Sequence, residues 1–408
     1  MLFDPARHEP LNAPAWSEAA AREAIAAIVD DACRSFRAET LWPTHPRDAG
    51  DEPPDLRVPL TSLYNGAAGA LWALRHLASR GAVEVDLDLD TAIAGLHAHS
   101  RRYLEATGIE RPSYFLGESG VLLLQWSQHP SAATADALFE LVHGNLRNPA
   151  REALWGSPGT LVAALHLLEA SGEPRWQALL REGVAILWDE MHTARHTAHP
   201  DREAWIWTQD LYGKTVSYMG AGHGFAGNLF PVLRGARWLD DAVVAGFEAR
   251  AAEALEIAAS RDGELVNWEP VFDRVAMGTS SRPLVQDCHG APGIVCRLAG
   301  ARPPALRDLL RQGGELTWAA GPLTKPPGLC HGTDGNGYAF LKLHTMTGDA
   351  RWLARARAFA MHAIGQSAAL AAEHGQRRFT LWTGDLGLAV YLWACIAADP
   401  ALPTLDVF

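Results

Sequence analysis

The stretch Gly156-Ser157-Pro158-Gly159-Thr160-Leu161-Val162-Ala163-Ala164-Leu165 joins a Gly-x-x-Gly to an almost entirely apolar run. Glycine permits positive φ and close approach of two backbones, so this pattern is typical of a tight turn that leads into a buried helix. One copy would be weak evidence, but the pattern recurs at intervals of roughly 40 to 70 residues, as in a helical repeat protein. The seven pairs are Gly66 and Gly69, Gly117 and Gly120, Gly156 and Gly159, Gly224 and Gly227, Gly290 and Gly293, Gly332 and Gly335, and Gly384 and Gly387.

Amphipathic segments lie between the glycine turns. Residues 176–188 and 240–257 carry apolar residues at helical spacing and charges on the opposite face. Each repeat is therefore predicted to be a hairpin of one apolar inner helix and one amphipathic outer helix. A ring of seven hairpins buries every inner helix and leaves no open end, so we predict an all-α fold, an α/α toroid, in a single domain over residues 1–408. An open solenoid is the alternative, although no polar capping repeat is evident.

Two segments fall outside the repeat. Residues 1–60 are predicted to form an N-terminal helix, Ala15 to Phe36, and a connector, because residues 43–60 are rich in Pro, Asp and Arg. Residues 260–287 mix Gly, Pro, Trp and Val without a helical period. We expect this second segment to run in an extended form over one face.

Composition and charge limit the partners. The net charge is -12 and no run of Lys or Arg occurs, which argues against nucleic acid and anionic membranes. No apolar run is long enough to span a bilayer, and the N-terminus lacks the pattern of a secretory signal. The five cysteines are an odd number in a long chain, which favours reduced thiols. We expect a cytoplasmic protein whose partner is a peptide or a small molecule.

The fourth, fifth and sixth turns carry unusual chemistry. They read Gly222-His223-Gly224-Phe225-Ala226-Gly227, Cys288-His289-Gly290-Ala291-Pro292-Gly293 and Cys330-His331-Gly332-Thr333-Asp334-Gly335. Thiolate and imidazole are ligands that zinc prefers, and two Cys with one His leave the open position typical of a catalytic zinc site. A helix N-terminus further favours the thiolate form. The spacing alone does not choose which His would bind the metal.

The remaining cysteines and histidines have simpler interpretations. Cys33, Cys296 and Cys395 lie inside helical runs and are predicted to be buried as small apolar residues. His192, His196 and His199 lie in a polar segment before Pro200, which we interpret as a solvated loop rather than a second metal site.

Together, the seven glycine turns and the His-Gly and Cys-His-Gly sequences resemble the lanthionine synthetase C-like family, and nearer its stand-alone, eukaryotic-like branch than its lantibiotic cyclases. The resemblance covers nearly the whole chain and includes Ser62-Leu63-Tyr64-Asn65-Gly66 and Gly337-Tyr338-Ala339-Phe340-Leu341. It implies an α/α toroid with Zn²⁺ held by Cys288, Cys330 and His331. By position, His223 matches the acid/base histidine of the family, and Glu152 falls where the cyclases have an acidic residue.

Two positions depart from the family pattern. Asp287 stands where the family commonly has Trp, so we expect a more acidic zinc site. The family often has a basic residue several positions before the first zinc cysteine, and Arg282 is the nearest candidate, at a different offset.

The resemblance implies a zinc-dependent, carbon-sulfur bond-forming enzyme. A glutathione-like thiol would add to dehydroalanine or dehydrobutyrine in a peptide or protein and form a thioether. Addition places negative charge on an enolate, which an acid must protonate, and a histidine is suited to this near neutral pH. His223 is the first candidate for that acid and His289 the second. The alternatives are a lanthionine-forming cyclase acting on a dehydrated precursor peptide and a noncatalytic protein that binds zinc or glutathione.

Overall fold

The computed structural model describes residues 1–49, 58–278 and 282–408. In these ranges the chain forms fourteen α-helices: α1 (Glu18–Ser35), α2 (Ala67–Ser79), α3 (Leu89–Thr107), α4 (Glu118–Gln128), α5 (Ala132–Gly144), α6 (Ser157–Ser171), α7 (Pro174–Asp189), α8 (Phe225–Arg234), α9 (Asp241–Ala258), α10 (Ala291–Leu298), α11 (Pro304–Ala320), α12 (Thr333–Thr347), α13 (Ala350–His374) and α14 (Asp385–Ala397). The structure is therefore mostly helical, as the sequence predicted.

All seven glycine turns lead directly into a helix, because α2, α4, α6, α8, α10, α12 and α14 each begin at the residue after the first glycine. These inner helices are buried nearly all round: every residue of α6 from Ser157 to Leu168 is buried. The outer helix α7 instead buries one face, which includes Trp176, Leu180 and Leu187. The predicted division into apolar inner helices and amphipathic outer helices is confirmed for this pair.

Backbone carbonyl groups cap the inner helices. The first N–H groups of a helix have no partner inside it, and a glycine at the N-cap offers no side chain to accept from them. Before α8, the amides of residues 225–227 donate to the carbonyls of residues 218–220 at 3.0 to 3.3 Å. Before α2, the amides of residues 67–69 donate to the carbonyls of residues 60–62 at 2.9 to 3.2 Å. The segment before the turn thus lies against the N-terminus of the helix that follows it.

The second glycine of the motif makes this close approach possible. A Cβ atom at Gly227 would collide with the carbonyl oxygen of Ala221, and one at Gly293 would collide with that of Asp287. The first glycine needs positive φ only in some repeats, for example at Gly290, where φ is 109°. Close backbone approach is therefore what the second position of the motif requires.

The described residues also contain six short strands in three antiparallel pairs: β1 (His192–His196) with β2 (His199–Ile206), β3 (Gln209–Leu211) with β4 (Lys214–Val216), and β5 (Ala259–Asp262) with β6 (Leu265–Trp268). The interpretation of His192, His196 and His199 as loop residues is wrong, since all three lie on the first pair. The pair forms because β2 ends in the buried residues Ala204 and Ile206, and β2 packs against α9.

The described chain divides into two compact units. The first consists of Met1–Glu9, Phe139–Gly321 and Lys342–Trp352, and the second of Pro10–Leu138, Pro322–Leu341 and Leu353–Phe408. Within the first unit, α8 packs against α6 and α10, and α10 packs against α11. Within the second unit, α14 packs against α1 and α2, and α4 packs against α2 and α3. The single domain over residues 1–408 stays a prediction.

The predicted N-terminal helix is confirmed as α1. Of the predicted connector, residues 50–57 lie outside the described residues, as do residues 279–281 of the predicted extended segment. The described beginning of that segment forms the β5–β6 hairpin. In the part of the chain that the structure describes, no helix is both long and apolar enough to cross a membrane.

We predict that Gly227→Ala lowers the free energy of unfolding by about 1 to 3 kcal/mol, because the added methyl group overlaps the Ala221 carbonyl. Gly95→Ala is the matched control, since Gly95 lies within α3 and no atom stands within 4 Å of a Cβ built there. This control should stabilise the protein by up to about 1 kcal/mol through helix propensity. Urea unfolding of both variants measures the difference, and equal effects at the two sites would contradict the explanation.

Candidate functional site

A buried carboxylate and a histidine form a hydrogen-bonded pair in the first unit. Glu152 lies four residues before Gly156, and His223 lies one residue before Gly224. The Nδ1 atom of His223 donates to Oε2 of Glu152 at 2.9 Å, and the two side chains are 19% and 0% exposed, respectively. The sequence selected both residues, and the structure brings them together across 71 residues of chain.

The backbone around Glu152 fixes its carboxylate. The amides of Leu154 and Trp155 donate to the carboxylate oxygens at 3.0 and 2.5 Å. The preceding residue, Arg151, has a φ of 42°, and its carbonyl accepts hydrogen bonds from the side chains of Gln209 on β3 and Asn228 on α8. Two elements therefore hold the turn that presents Glu152 to His223.

The pair favours a protonated His223. Burial acts to lower the pKa of its imidazole, but the hydrogen bond and the charge of Glu152, together with the charge of Cys288, outweigh burial and raise it above its ordinary value. An imidazolium held by a carboxylate in this way can give up a proton from its other nitrogen, Nε2, near neutral pH.

The turn before α10 packs against the turn before α8. The amide of Gly222 donates to the carbonyl of Cys288 at 3.1 Å, and a Cβ atom at Gly222 would lie 2.9 Å from the Cβ of Cys288. The side-chain amide of Gln286 donates to the sulfur of Cys288 at 3.0 Å. The amide of Gln286 donates to the carbonyl of His289 at 3.1 Å, which closes a turn around Cys288. Cys288 is thereby fixed beside the loop that carries His223.

His289 differs from His223 in its protonation. The two rings lie 5.6 Å apart between centroids. Burial, and then the charge of His223, lower the pKa of His289 to about 3. His289 is therefore neutral at neutral pH, and this difference favours His223 over His289 as a proton donor.

Two tyrosines border His223. Tyr218 lies with its ring centroid 6.1 Å from that of His223 and 5.6 Å from that of His289. The ring centroid of Tyr212 lies 6.0 Å from that of His223, and the two rings form a T-shaped pair with an interplanar angle of 75°. Tyrosine rings therefore lie beside both His223 and His289.

The other two predicted zinc ligands lie in the second unit. Cys330 is 7% exposed, and its amide donates to the carbonyl of Trp382 at 2.9 Å. Burial, followed by the positive charges of Lys325 and Arg378, lowers the pKa of His331 to about 4. The imidazole of His331 is thus neutral near pH 7.

The donor chemistry of Cys288, Cys330 and His331 fits zinc. A neutral imidazole offers a lone pair, and a sulfur that accepts an N–H, as Cys288 does from Gln286, is suited to the thiolate form. None of the five cysteines, all of which lie in the described residues, forms a disulfide. Among the described residues, no group of three His, Cys, Asp or Glu side chains is arranged to hold a metal ion. The ligand set stays a prediction.

The expectation for Asp287 is wrong. Its carboxylate accepts two hydrogen bonds, at 2.8 and 3.1 Å, from the guanidinium of Arg297 on α10, and both side chains are buried. Burial raises the pKa of Asp287 against the opposing effect of Arg297. Because Arg297 balances its charge, Asp287 does not make the surroundings of Cys288 more acidic.

Arg282 pairs with the N-terminal segment. Its guanidinium donates to the Asp4 carboxylate at 2.6 Å, and its side chain is 73% exposed. The structure thus gives Arg282 a surface ion pair, unlike the buried pair of His223 and Glu152. Its role in catalysis stays a prediction without support from these contacts.

Sequence reasoning missed Gln286 and the two tyrosines. Gln286 stands two residues before Cys288, a spacing that could have indicated a side-chain contact with the sulfur. Tyr212 precedes Gly213 in a polar stretch, and Tyr-Gly there could have indicated a hairpin turn. Neither position indicated by itself that the ring would lie beside His223.

Seven glycine-led buried helices, with a His-Glu pair beside a Cys-His turn, define a helical repeat protein with residues suited to proton transfer and thiol chemistry. The family model described as lanthionine synthetase C-like protein matches residues 58–407. The chain belongs to the lanthionine synthetase C-like family.

Similar proteins agree with this assignment. The chain is 32% identical over 189 residues to "Glutathione S-transferase LANCL1" of Danio rerio. The matched region covers 43% of this chain and 42% of that protein. It is 36% identical over 124 residues to "LanC-like protein GCL1" of Arabidopsis thaliana, covering 28% of each. The chain thus spans less than half the length of either relative. The solved structure of nisin cyclase matches with a TM-score of 0.60 at 14% identity, over 86% of this chain and 91% of that one, which confirms the predicted fold class.

We predict that Glu152→Gln lowers the pKa of His223 by about one unit or more, because it removes the opposite charge but keeps a side chain of the same shape. The pKa of His223 is raised in the folded protein, so the pair stabilises fully below about pH 6.5, the ordinary value, and this contribution is lost as pH rises through the folded value. The stability deficit of the variant should therefore be larger at low pH than at high pH. NMR titration of the His223 ring measures the shift, and an unchanged pKa would refute the assigned cause.

Proposed function

We propose that this protein catalyses the addition of a thiol to dehydroalanine or dehydrobutyrine in a peptide or protein, with one zinc ion held by Cys288, Cys330 and His331. The observation that carries the proposal is the buried Glu152–His223 pair, which raises the pKa of an imidazole next to the turn of Cys288. Membership of the lanthionine synthetase C-like family supports the same chemistry. We also propose that the protein is cytoplasmic.

The reaction needs a sulfur nucleophile and a proton donor. Zinc, when bound, lowers the pKa of a coordinated thiol so that its sulfur is a thiolate at neutral pH. The sulfur forms a bond to the β-carbon of the dehydroamino acid, and the electron pair of the carbon-carbon double bond moves toward the α-carbon and its carbonyl. One proton must then reach the α-carbon. The thiol supplies a proton to the system, so no further reactant is required.

His223 is the residue suited to protonate the α-carbon. Because its Nδ1 donates to Glu152, its Nε2 is the atom left to hold and transfer a proton. Glu152 has no exposed surface and accepts two backbone amides, so it orients the ring and stays in place while the imidazole changes charge. His289 is neutral near pH 7 and is better suited to pack beside His223 than to act as the acid.

The thiol is proposed to be glutathione or a similar anionic thiol. This choice is supported by the zebrafish relative, which is named a glutathione S-transferase. A second candidate is cyclisation within a dehydrated precursor peptide, which the shared fold with nisin cyclase favours. A noncatalytic binding protein would have no need for a buried carboxylate that tunes a histidine.

We predict about one zinc per chain and zinc-dependent formation of a thioether from glutathione and a dehydroalanine peptide. Cys288→Ala, Cys330→Ala and His331→Ala should lose both the metal and the activity. Cys296→Ala is the matched control, since Cys296 is buried within α10 and should keep both. Metal analysis and mass spectrometry of the product provide the measurements. Full zinc in the first three variants would remove the ligand assignment, and a zinc-loaded parent that binds glutathione without product would favour the noncatalytic alternative.

A further inference from the structure

Tyr212 has an unfavourable backbone conformation in a hairpin turn. Leu211 of β3 pairs with Lys214 of β4, so Tyr212 and Gly213 form the two-residue turn between them. Both have positive φ, 55° and 72° respectively. Such turns favour Asn-Gly, because a bulky side chain is strained in the left-handed region. Tyrosine at this position therefore opposes the local preference of the backbone.

The Tyr212 ring also faces solvent. It is 66% exposed, which makes it one of the most exposed large apolar side chains in the described part of the chain. The hairpin gains little burial from such a ring, and a small polar residue would serve the turn better. The positive φ of a non-glycine residue beside a candidate site is an outlier from which a functional role can be inferred.

Contacts with the catalytic pair fix the Tyr212 ring beside His223. The indole N–H of Trp155 donates to the Tyr212 hydroxyl at 3.1 Å. The amide of Trp155 donates in turn to the carboxylate of Glu152, which holds His223. The Tyr212 ring forms a T-shaped pair with the imidazole, with 6.0 Å between the ring centroids. Tyr212, Trp155, Glu152 and His223 thus form one connected group.

We propose that Tyr212, tethered by Trp155, binds the dehydroamino acid unit of the acceptor peptide and determines specificity for it. The inference rests on the proposed function. A dehydroamino acid has its double bond conjugated with the neighbouring carbonyl, so the unit is flat and suited to packing on an aromatic ring. An acceptor whose α-carbon takes a proton from His223 must come within reach of the ring that borders His223. A rigid tyrosine also loses little conformational entropy on binding.

The occupant is the acceptor rather than the thiol. Glutathione is flexible and charged, and it has no carbon-carbon double bond conjugated with a carbonyl group. It therefore lacks the extended flat unit that distinguishes the acceptor. The aromatic group is built around the proton donor, and the proton is delivered to the acceptor. Tyr212 should therefore affect the binding of the peptide and leave that of glutathione unchanged.

Tyr212→Asn is the sharpest test, because asparagine is preferred in this turn and should relieve strain. In the zinc-loaded full chain, we expect the KM for a dehydroalanine peptide to rise about tenfold, as for the loss of one aromatic packing partner. The KM for glutathione should not change, and Tm should stay at or above that of the parent. Tyr212→Phe keeps the ring but loses the hydroxyl that accepts from Trp155, so its KM should lie between those of the parent and Tyr212→Asn.

Equilibrium binding without thiol separates this inference from the proposed function. Calorimetry would compare the dehydroalanine peptide with its alanine analogue on the parent and on Tyr212→Asn. Weaker binding of only the dehydroalanine peptide by the variant supports the inference, even if no turnover occurs and the proposed function fails. An unchanged KM and affinity in an active variant overturn the inference alone, as does a lower Tm with unchanged KM. A parent that neither binds nor converts the peptide overturns both.

Discussion

The arrangement of the site depends on the backbone hydrogen bonds that cap the inner helices. Before α2, α8 and α14, the segment that precedes the glycine turn presents carbonyl groups to the first amides of the helix, as residues 218–220 do for α8. A buried amide left without a partner costs about 1 to 3 kcal/mol, so several such bonds together fix the segment firmly. His223 stands one residue before the first glycine of the α8 turn, and the carbonyl of Cys288 accepts a hydrogen bond from Gly222 in the same loop. The same bonds that complete the helices therefore hold the reactive side chains in place.

The site also depends on a buried carboxylate, that of Glu152, which lies beside one of its two histidines. Glu152 is fully buried, and two amides and an imidazole donate hydrogen bonds to its carboxylate. Its charge then keeps His223 protonated, whereas His289, without such a partner, is neutral. Two histidines 5.6 Å apart thus have opposite tendencies. Because their pKa values are shifted in opposite directions, His223 and not His289 is suited to act as the acid.

The helices could be predicted because their pattern is local: a Gly-x-x-Gly and the apolar run behind it lie within about ten residues. Glu152 and His223 could each be selected, but their hydrogen bond joins residues 71 positions apart and depends on the packing of two consecutive repeats. Asp287 was interpreted by comparing one position with the family pattern. That comparison could not show that Arg297 pairs with its carboxylate, so the effect of the charge was predicted incorrectly. A charged residue within the apolar run of α10 was a usable indication. The hairpins were missed because β1 and the start of β2 are polar and exposed, and only the buried end of β2 fixes them.

The central claim is that His223 delivers the proton to the α-carbon, and addition carried out in heavy water tests it most directly. With the zinc-loaded parent, we predict a product with one deuterium at the α-carbon and a single configuration there. With His223→Ala, which should keep its zinc, we predict product formation slower by about 10² to 10⁴ and a mixture of configurations. An equal rate and the same single configuration in both proteins would contradict the account and assign the proton to another donor.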